Sequence, residues 1–296
     1  MRKNVNKRHI IQLLSAVLTN ANFKGFLNGT IYKGASKQMC VPGLNCYSCP
    51  GAVGACPIGS LQAELGKGKR GFPFYVTGIL LFFGVIFGRL ICGFLCLFGF
   101  LQDLLYKIPT PKLTIPQKAD RVLRYFKYVV LLILVILLPI FLTDEYGTAP
   151  PYFCEWICPA GTLEGGIPLV LQNEGLRSMI GFLFQWKVSL LTIIILMSIF
   201  IYRPFCKYIC PLGAIYSLFN KFSFYQMHVD ENKCTGCKLC EKHCPMGVQI
   251  TKNINSCECI RCSECKKVCR HGAITSGFRK KQKRCKLLRK ESRREM

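Results

Sequence analysis

Cys234-Thr-Gly-Cys237-Lys-Leu-Cys240-Glu-Lys-His-Cys244-Pro245, followed by Cys259-Ile-Arg-Cys262-Ser-Glu-Cys265-Lys-Lys-Val-Cys269, decides how this chain is read. Both stretches carry the spacing Cys-x2-Cys-x2-Cys-x3-Cys. Three thiolates two residues apart wrap one cubane iron–sulfur cluster, while the fourth lies too far along to close it and reaches the other cluster. The spacing therefore assigns Cys234, Cys237, Cys240 and Cys269 to one [4Fe–4S] cluster and Cys259, Cys262, Cys265 and Cys244 to a second. Zinc competes as the reading of an isolated Cys-x2-Cys pair; eight cysteines in tandem register argue against it. Arg270 stands where a proline usually follows the last ligand, and Cys257 and Cys285 fall outside the register as a bystander and a free thiol.

Outward from this stretch the composition changes. The chain has 296 residues, 51% of them hydrophobic and 19% charged, with 20 cysteines and a net charge of +25. Soluble domains carry roughly 25% charged residues, so mean hydropathy of +0.28 favours a membrane protein and excludes a largely disordered one. The apolar residues gather in three runs, which predict spans at about 72–91, 126–143 and 182–202. A bilayer takes roughly 20 residues per helix, and interfacial Tyr, Lys and Arg complete the shorter runs. His9–Leu27 is a weaker fourth candidate, a short span or an interfacial helix behind the basic start Arg2, Lys3, Lys7 and Arg8. The expected fold is an α-helical integral membrane domain of three to four transmembrane helices plus a small α+β domain of the bacterial 2[4Fe–4S] ferredoxin type. The expected layout is 1–71 for an N-terminal segment, 72–222 for the membrane domain, 225–276 for the ferredoxin-type domain and 277–296 for a basic tail.

Loop charge sets the expected orientation. Between Cys92 and Lys127 lie six basic residues, whereas Asp144 to Trp186 holds Arg177 against five acidic ones. The first loop and everything after Arg203 are then cytoplasmic, placing the ferredoxin domain in the cytoplasm of a multi-pass protein of the cell membrane. Residues 28 to 70 fall outside, despite several lysines.

Ten further cysteines accompany the apolar runs. Cys92/Cys96, Cys154/Cys158 and Cys206/Cys210 are Cys-x3-Cys pairs, and i, i+4 spacing puts both sulfurs on one helix face. Cys92, Cys96, Cys206 and Cys210 are expected to share a third cluster at the cytoplasmic boundary. Cys40, Cys46, Cys49, Cys56, Cys154 and Cys158 lie on the outer side, where Cys46-x2-Cys49-x6-Cys56-Pro57 looks like the core of a further cluster site. Which of the six are ligands stays open, and disulfides are the competing reading there.

The stretches Cys92-Gly-Phe-Leu-Cys96-Leu-Phe-Gly-Phe-Leu-Gln-Asp and Arg203-Pro-Phe-Cys206-Lys-Tyr-Ile-Cys210-Pro-Leu-Gly-Ala, with the two tandem motifs, resemble the membrane-bound 4Fe–4S polyferredoxins related to NapH and NosR. The resemblance covers roughly residues 72 to 275. It implies electron transfer between a membrane or cytoplasmic donor and a partner protein. Leu97 departs from the family's Cys-x3-Cys-Pro.

The resulting expectation is an iron–sulfur electron carrier that relays electrons between a cytoplasmic donor or membrane pool and a partner redox protein. A quinone or flavin carrier is a candidate partner. The bilayer is the other partner: from Gly277 onward ten Lys and Arg face two Glu, and such a tail suits anionic lipid heads better than nucleic acid. Histidine is scarce and the outer carboxylates are scattered, so the chain reads as an oxidoreductase subunit rather than a stand-alone enzyme, with no catalytic residue. The alternatives are a redox sensor or maturation factor for another metalloenzyme, and a terminal reductase subunit.

Overall fold

The structure is a computed structural model that describes residues 7–67, 73–113, 115–142 and 148–278. The basic tail from Arg279, Cys285, the first residue of the expected span at 72–91 and the acidic pair Asp144/Glu145 lie outside the described residues. The fold is mostly helical and, among the described residues, carries two helices long and apolar enough to cross a membrane, Gln117–Phe141 and Phe182–Phe200. Their most apolar windows are only 28% and 17% buried, so most of their surface is left to an apolar surrounding rather than to a protein core.

The helices differ from the sequence expectation in physically readable ways. Phe74–Phe87 has 14 residues, about 21 Å at 1.5 Å per residue, short of a 30 Å hydrocarbon core. It stops because Gly88 turns to φ +53° and Arg89 folds inward, fully buried, instead of marking a polar boundary. The next helix begins at Gln117, before the apolar run, because Arg124 and Lys127 on its first turns bond the ferredoxin segment: Arg124 donates to the Met246 carbonyl at 2.8 Å and Lys127 to Glu258 at 2.6 Å. Over Leu131–Leu137 this helix widens into i→i+5 turns, ahead of Pro139, which has no N–H to donate.

His9–Leu27 does not form one helix. Lys7–Thr19 (α1) ends before Asn20–Asn22, and a short turn, Phe23–Asn28, follows. Helix α1 is inside out for a soluble protein. Arg8 and Gln12 are buried against Asp103, while Leu14 and Leu18 are 57% and 71% exposed. A polar face turned to protein and an apolar face turned outward suit a helix lying in lipid.

The tail closes with a two-stranded antiparallel sheet, Tyr225–Val229 against Ile274–Phe278, in the register Tyr225↔Phe278 to Val229↔Ile274. The sheet brackets both tandem motifs. The two cysteine loops share a backbone pattern: Gly236 and Lys238 flank Cys237 at φ +72° and +55°, and Arg261 and Ser263 flank Cys262 at φ +54° and +65°. Left-handed residues on either side of a cysteine curl the loop so that sulfurs and amides point to its inside. Arg261 adopts this conformation without being glycine, at a cost of about 1–3 kcal/mol. Its buried guanidinium offsets that cost by donating to the Phe87 and Asn220 carbonyls and to the Ser223 hydroxyl.

Candidate metal centres

One local motif recurs four times in the helical part, as Cys56-Pro-Ile-Gly59-Ser-Leu-Gln62, Cys96-Leu-Phe-Gly99-Phe-Leu-Gln102, Cys158-Pro-Ala-Gly161-Thr-Leu-Glu164 and Cys210-Pro-Leu-Gly213-Ala-Ile-Tyr216. In each copy the cysteine is the extended residue that starts a short helix, with ψ between 107° and 127°. Leu97 takes the first helical position as the three prolines do, so its departure from proline leaves the geometry unchanged. The glycine three residues on turns its N–H to the sulfur, at 3.4 Å for Gly161 to Cys158 and Gly213 to Cys210.

The copies pair by a repeated side-chain bond. Gln62 donates to the Cys154 sulfur at 3.4 Å and accepts from the Phe153 N–H at 2.9 Å. Gln102 does the same to Cys206 at 3.1 Å and to the Phe205 N–H at 3.2 Å. Two quartets result. In the inner one, Cys210 lies within electrostatic reach of Cys206, Cys92 and Cys96. Arg89 and Arg203, each three residues before a Cys-x3-Cys pair, cross over it. Arg89 donates to the Cys206 carbonyl at 3.2 Å and Arg203 to that of Cys92 at 2.5 Å. Asp103, 3% exposed, takes two bonds from Arg203 and further ones from Arg8 and Gln12. Burial would raise the Asp103 carboxyl, but Arg203 and Arg8 outweigh it and hold it below the usual carboxylate range.

In the outer quartet Cys158 faces Cys154, Cys56 and Cys46. A Cβ on Gly161 would stand 3.7 Å from the Cys46 sulfur and 3.8 Å from that of Cys158, so the two sulfurs share one small cradle. Among the six outer cysteines the structure thus gathers Cys46, Cys56, Cys154 and Cys158. Ala52 occupies the position four before Cys56, and Cys46 arrives from the preceding loop instead, its N–H held by Glu164 at 2.8 Å. Cys49 stays within electrostatic reach of Cys46 but gives its thiol to Asn20 at 3.6 Å, and Cys40 pairs in a bridge with Ala55. Burial pushes the Glu164 carboxyl up to about 8, against the Cys46 amide that lowers it.

In the tail, Cys234, Cys237, Cys240 and Cys269 line one cavity, while Cys244, Cys259, Cys262 and Cys265 surround another. The fourth cysteine of each motif accepts an amide four residues on, Val248 to Cys244 and Ala273 to Cys269, both at 3.4 Å. This second tail set rests directly on the inner quartet. Gly93, between Cys92 and Cys96, meets the Ile260 carbonyl so closely that a Cβ would stand 2.4 Å from it. Glu258 locks the contact by pairing with Arg89 at 2.9 Å and Lys127 at 2.6 Å. Burial favours its neutral form, but the Arg89 and Lys127 charges prevail and hold it at about 2.

The quartets fit iron–sulfur clusters on three counts. All nineteen described cysteines are free thiols rather than disulfides. Burial pushes Cys46, Cys96 and Cys259 up to about 12, so each rests as a neutral thiol unless a metal centre takes the place of its proton. Amide N–H groups and buried cations surround the sulfurs, as an anionic cluster requires. Sequence reasoning had not found Gln62, Gln102, Arg89, Arg203 or Glu164. The signal for the first two and the last was the Cys-x2-Gly-x2 pattern behind each cysteine.

The profile of the 4Fe-4S binding domain family matches residues 71–116, 127–168 and 183–226, each match taking in one apolar helix and one cysteine pair, and a second 4Fe-4S binding domain profile matches 226–249. An uncharacterized protein of Methanocaldococcus jannaschii is 36% identical over 206 residues, covering 67% of this chain and 69% of its own length. The regulatory protein NosR of Stutzerimonas stutzeri is 25% identical over 61% of this chain and 23% of its own length. The ferredoxin-type protein NapH of Haemophilus influenzae is 25% identical over 64% of this chain and 63% of its own length. No solved structure matches. The chain binds 4Fe–4S clusters, is an iron–sulfur electron-transfer protein, and belongs to the NapH/NosR-like family of membrane-bound 4Fe–4S polyferredoxins.

Proposed function

We propose that the chain is a multi-pass membrane wire that moves electrons one at a time along four thiol quartets. The ligand sets are Cys234/Cys237/Cys240/Cys269, Cys244/Cys259/Cys262/Cys265, Cys92/Cys96/Cys206/Cys210 and Cys46/Cys56/Cys154/Cys158. A [4Fe–4S] cluster in each supplies the one-electron carrier. The observation that carries this reading is the seating of Ile260 on Gly93, which puts a loop of the second tail set directly on a loop of the inner one. Within the tail, Cys265 lies in reach of Cys240 of the first set, so the series has no break there.

Electrons enter or leave at the tail. Cys237 is exposed there, and Lys233, Lys238, Arg270 and His271 line the same cavity. That rim suits an acidic redox protein, whose approach it steers. The ferredoxin segment sits on the cytoplasmic side, following the basic loop before Lys127. Gln117–Phe141 and Phe182–Phe200 make two passes through the bilayer, the shorter apolar helix Phe74–Phe87 dips into it, and the inverted face of α1 meets lipid. Buried cations near the quartets, among them Arg89, Arg203 and Arg261, offset cluster charge and favour the reduced state.

The test is vectorial electron transfer in sealed proteoliposomes. A reduced acidic ferredoxin is added outside, with ferricyanide enclosed. The reading expects reduction of the enclosed ferricyanide by the full chain and none by a Cys96→Ser variant. Equal rates in the full chain, the Cys96→Ser variant and protein-free vesicles would overturn it.

A further inference from the structure

The inner and outer quartets are neighbours, and a single short loop touches both. Pro42–Asn45 is buried at Leu44 and Asn45, each 2% exposed. The Leu44 amide N–H interacts with the Cys96 sulfur of the inner quartet. The next amide, that of Asn45, interacts with the Cys56 sulfur of the outer one. Gly43 permits this approach: a Cβ there would stand 3.2 Å from the Leu95 carbonyl oxygen and 3.3 Å from the Cys96 Cα.

Tyr216 fixes the loop. It is the fourth member of the repeated motif, where the other copies carry Gln62, Gln102 and Glu164. Its ring is fully buried, and its hydroxyl donates to the Pro42 carbonyl at 2.9 Å. Cys92 and Cys96 on one side and Cys56 and Cys40 on the other all lie within electrostatic reach of it. Below it, Ser15 of α1 donates to the Leu95 carbonyl at 3.1 Å, holding the Cys96 side of the junction.

We infer that the Leu44–Asn45 peptide is the electronic bridge between the inner and outer quartets, with Tyr216 as its positioning residue. The inference rests on the wire reading and deepens it. One sulfur of each quartet is reached through an amide contact and the few covalent bonds of one residue, so no further cofactor or partner subunit is needed between them. One electron leaves one quartet as one electron enters the other; no atom or proton moves, and Tyr216 keeps its hydroxyl proton throughout.

The test uses the full-length, anaerobically purified chain, reduced and examined by low-temperature EPR with power saturation. The loop makes the inner quartet a neighbour of the outer one, so the inner cluster is the paramagnet that the outer signal senses. The bridge expects the outer signal to be broadened and fast-relaxing in the parent, and narrow and slow-relaxing in Cys210→Ser, which removes an inner ligand. An outer signal indifferent to Cys210→Ser, with outer iron retained, overturns the bridge and leaves the wire reading standing. An outer quartet without iron in the parent overturns both. Tyr216→Phe removes one hydroxyl and no thiol. It is expected to keep the parent's iron content and melting temperature while slowing inner-to-outer transfer several-fold after a reducing pulse. An unchanged rate shows that Tyr216 does not position the bridge, and a rate lost together with iron assigns it a merely structural part.

Discussion

Replacing Asp103 with Asn should strip the inner quartet before any other. Asp103 is 3% exposed and is the carboxylate that Arg203, fully buried, and Arg8, 8% exposed, both address. Neutralising it leaves two guanidinium charges facing each other in a low-dielectric site. Breaking a buried pair from one side costs about 3–5 kcal/mol, because the surviving charge stays buried. Arg203 also holds the Cys92 carbonyl at 2.5 Å, so the cost falls on the segments that carry Cys92 and Cys206. At about 2–4 °C per kcal/mol for a chain of this size class, the variant should melt roughly 6–20 °C below the parent. The assay is a thermal scan of visible iron–sulfur absorbance in detergent, with iron counted before and after a mild heat step. Iron should fall by about four per chain, the content of one cubane. The pH dependence follows the same carboxylate. Its native value is depressed, so its stabilisation is complete above the unfolded value near 3.9 and is lost as pH falls through the lower native one. A D103N variant that melts within about 1 °C of the parent and keeps all its iron would refute the reasoning.

Among the outer cysteines, Cys46→Ser should cost one cluster's worth of iron, whereas Cys49→Ser and Cys40→Ser should keep it; iron analysis of the three variants decides. Gly93→Ala places a Cβ 2.4 Å from the Ile260 carbonyl, so it should unseat the tail, retaining the tail's iron while limited proteolysis near 220–226 speeds up. Reversing charge at Lys238 and Arg270 should raise the KM for an acidic ferredoxin donor and flatten its dependence on salt, read by stopped-flow at several ionic strengths.

Much of the tail could be read from spacing. The crossed grouping of Cys244 and Cys269 follows from chain reach alone, because a fourth cysteine three residues on cannot turn back to its own loop. The helical part was legible in class but not in detail. Hydropathy registers the apolar run after Tyr128, yet it cannot see that Arg124 and Lys127 continue the same helix, because their partners Met246 and Glu258 lie more than a hundred residues away. The choice of Cys46 over Cys49 and Cys40 was likewise hidden. It depends on Glu164 holding the Cys46 amide and on Asn20 drawing Cys49 aside, two contacts between segments distant in sequence. Arg89 reads as a boundary charge in a linear sequence, whereas folding buries it completely and gives it Glu258 and the Cys206 carbonyl. The distance between quartets was also hidden, since only the fold shows one loop touching both.

Iron and acid-labile sulfide per chain, measured on anaerobically purified protein, test the central claim most directly. Four loaded quartets predict about sixteen iron and about sixteen sulfide per chain. A value of about eight, unchanged by Cys96→Ser and Cys56→Ser, would confine the clusters to the tail and contradict the wire.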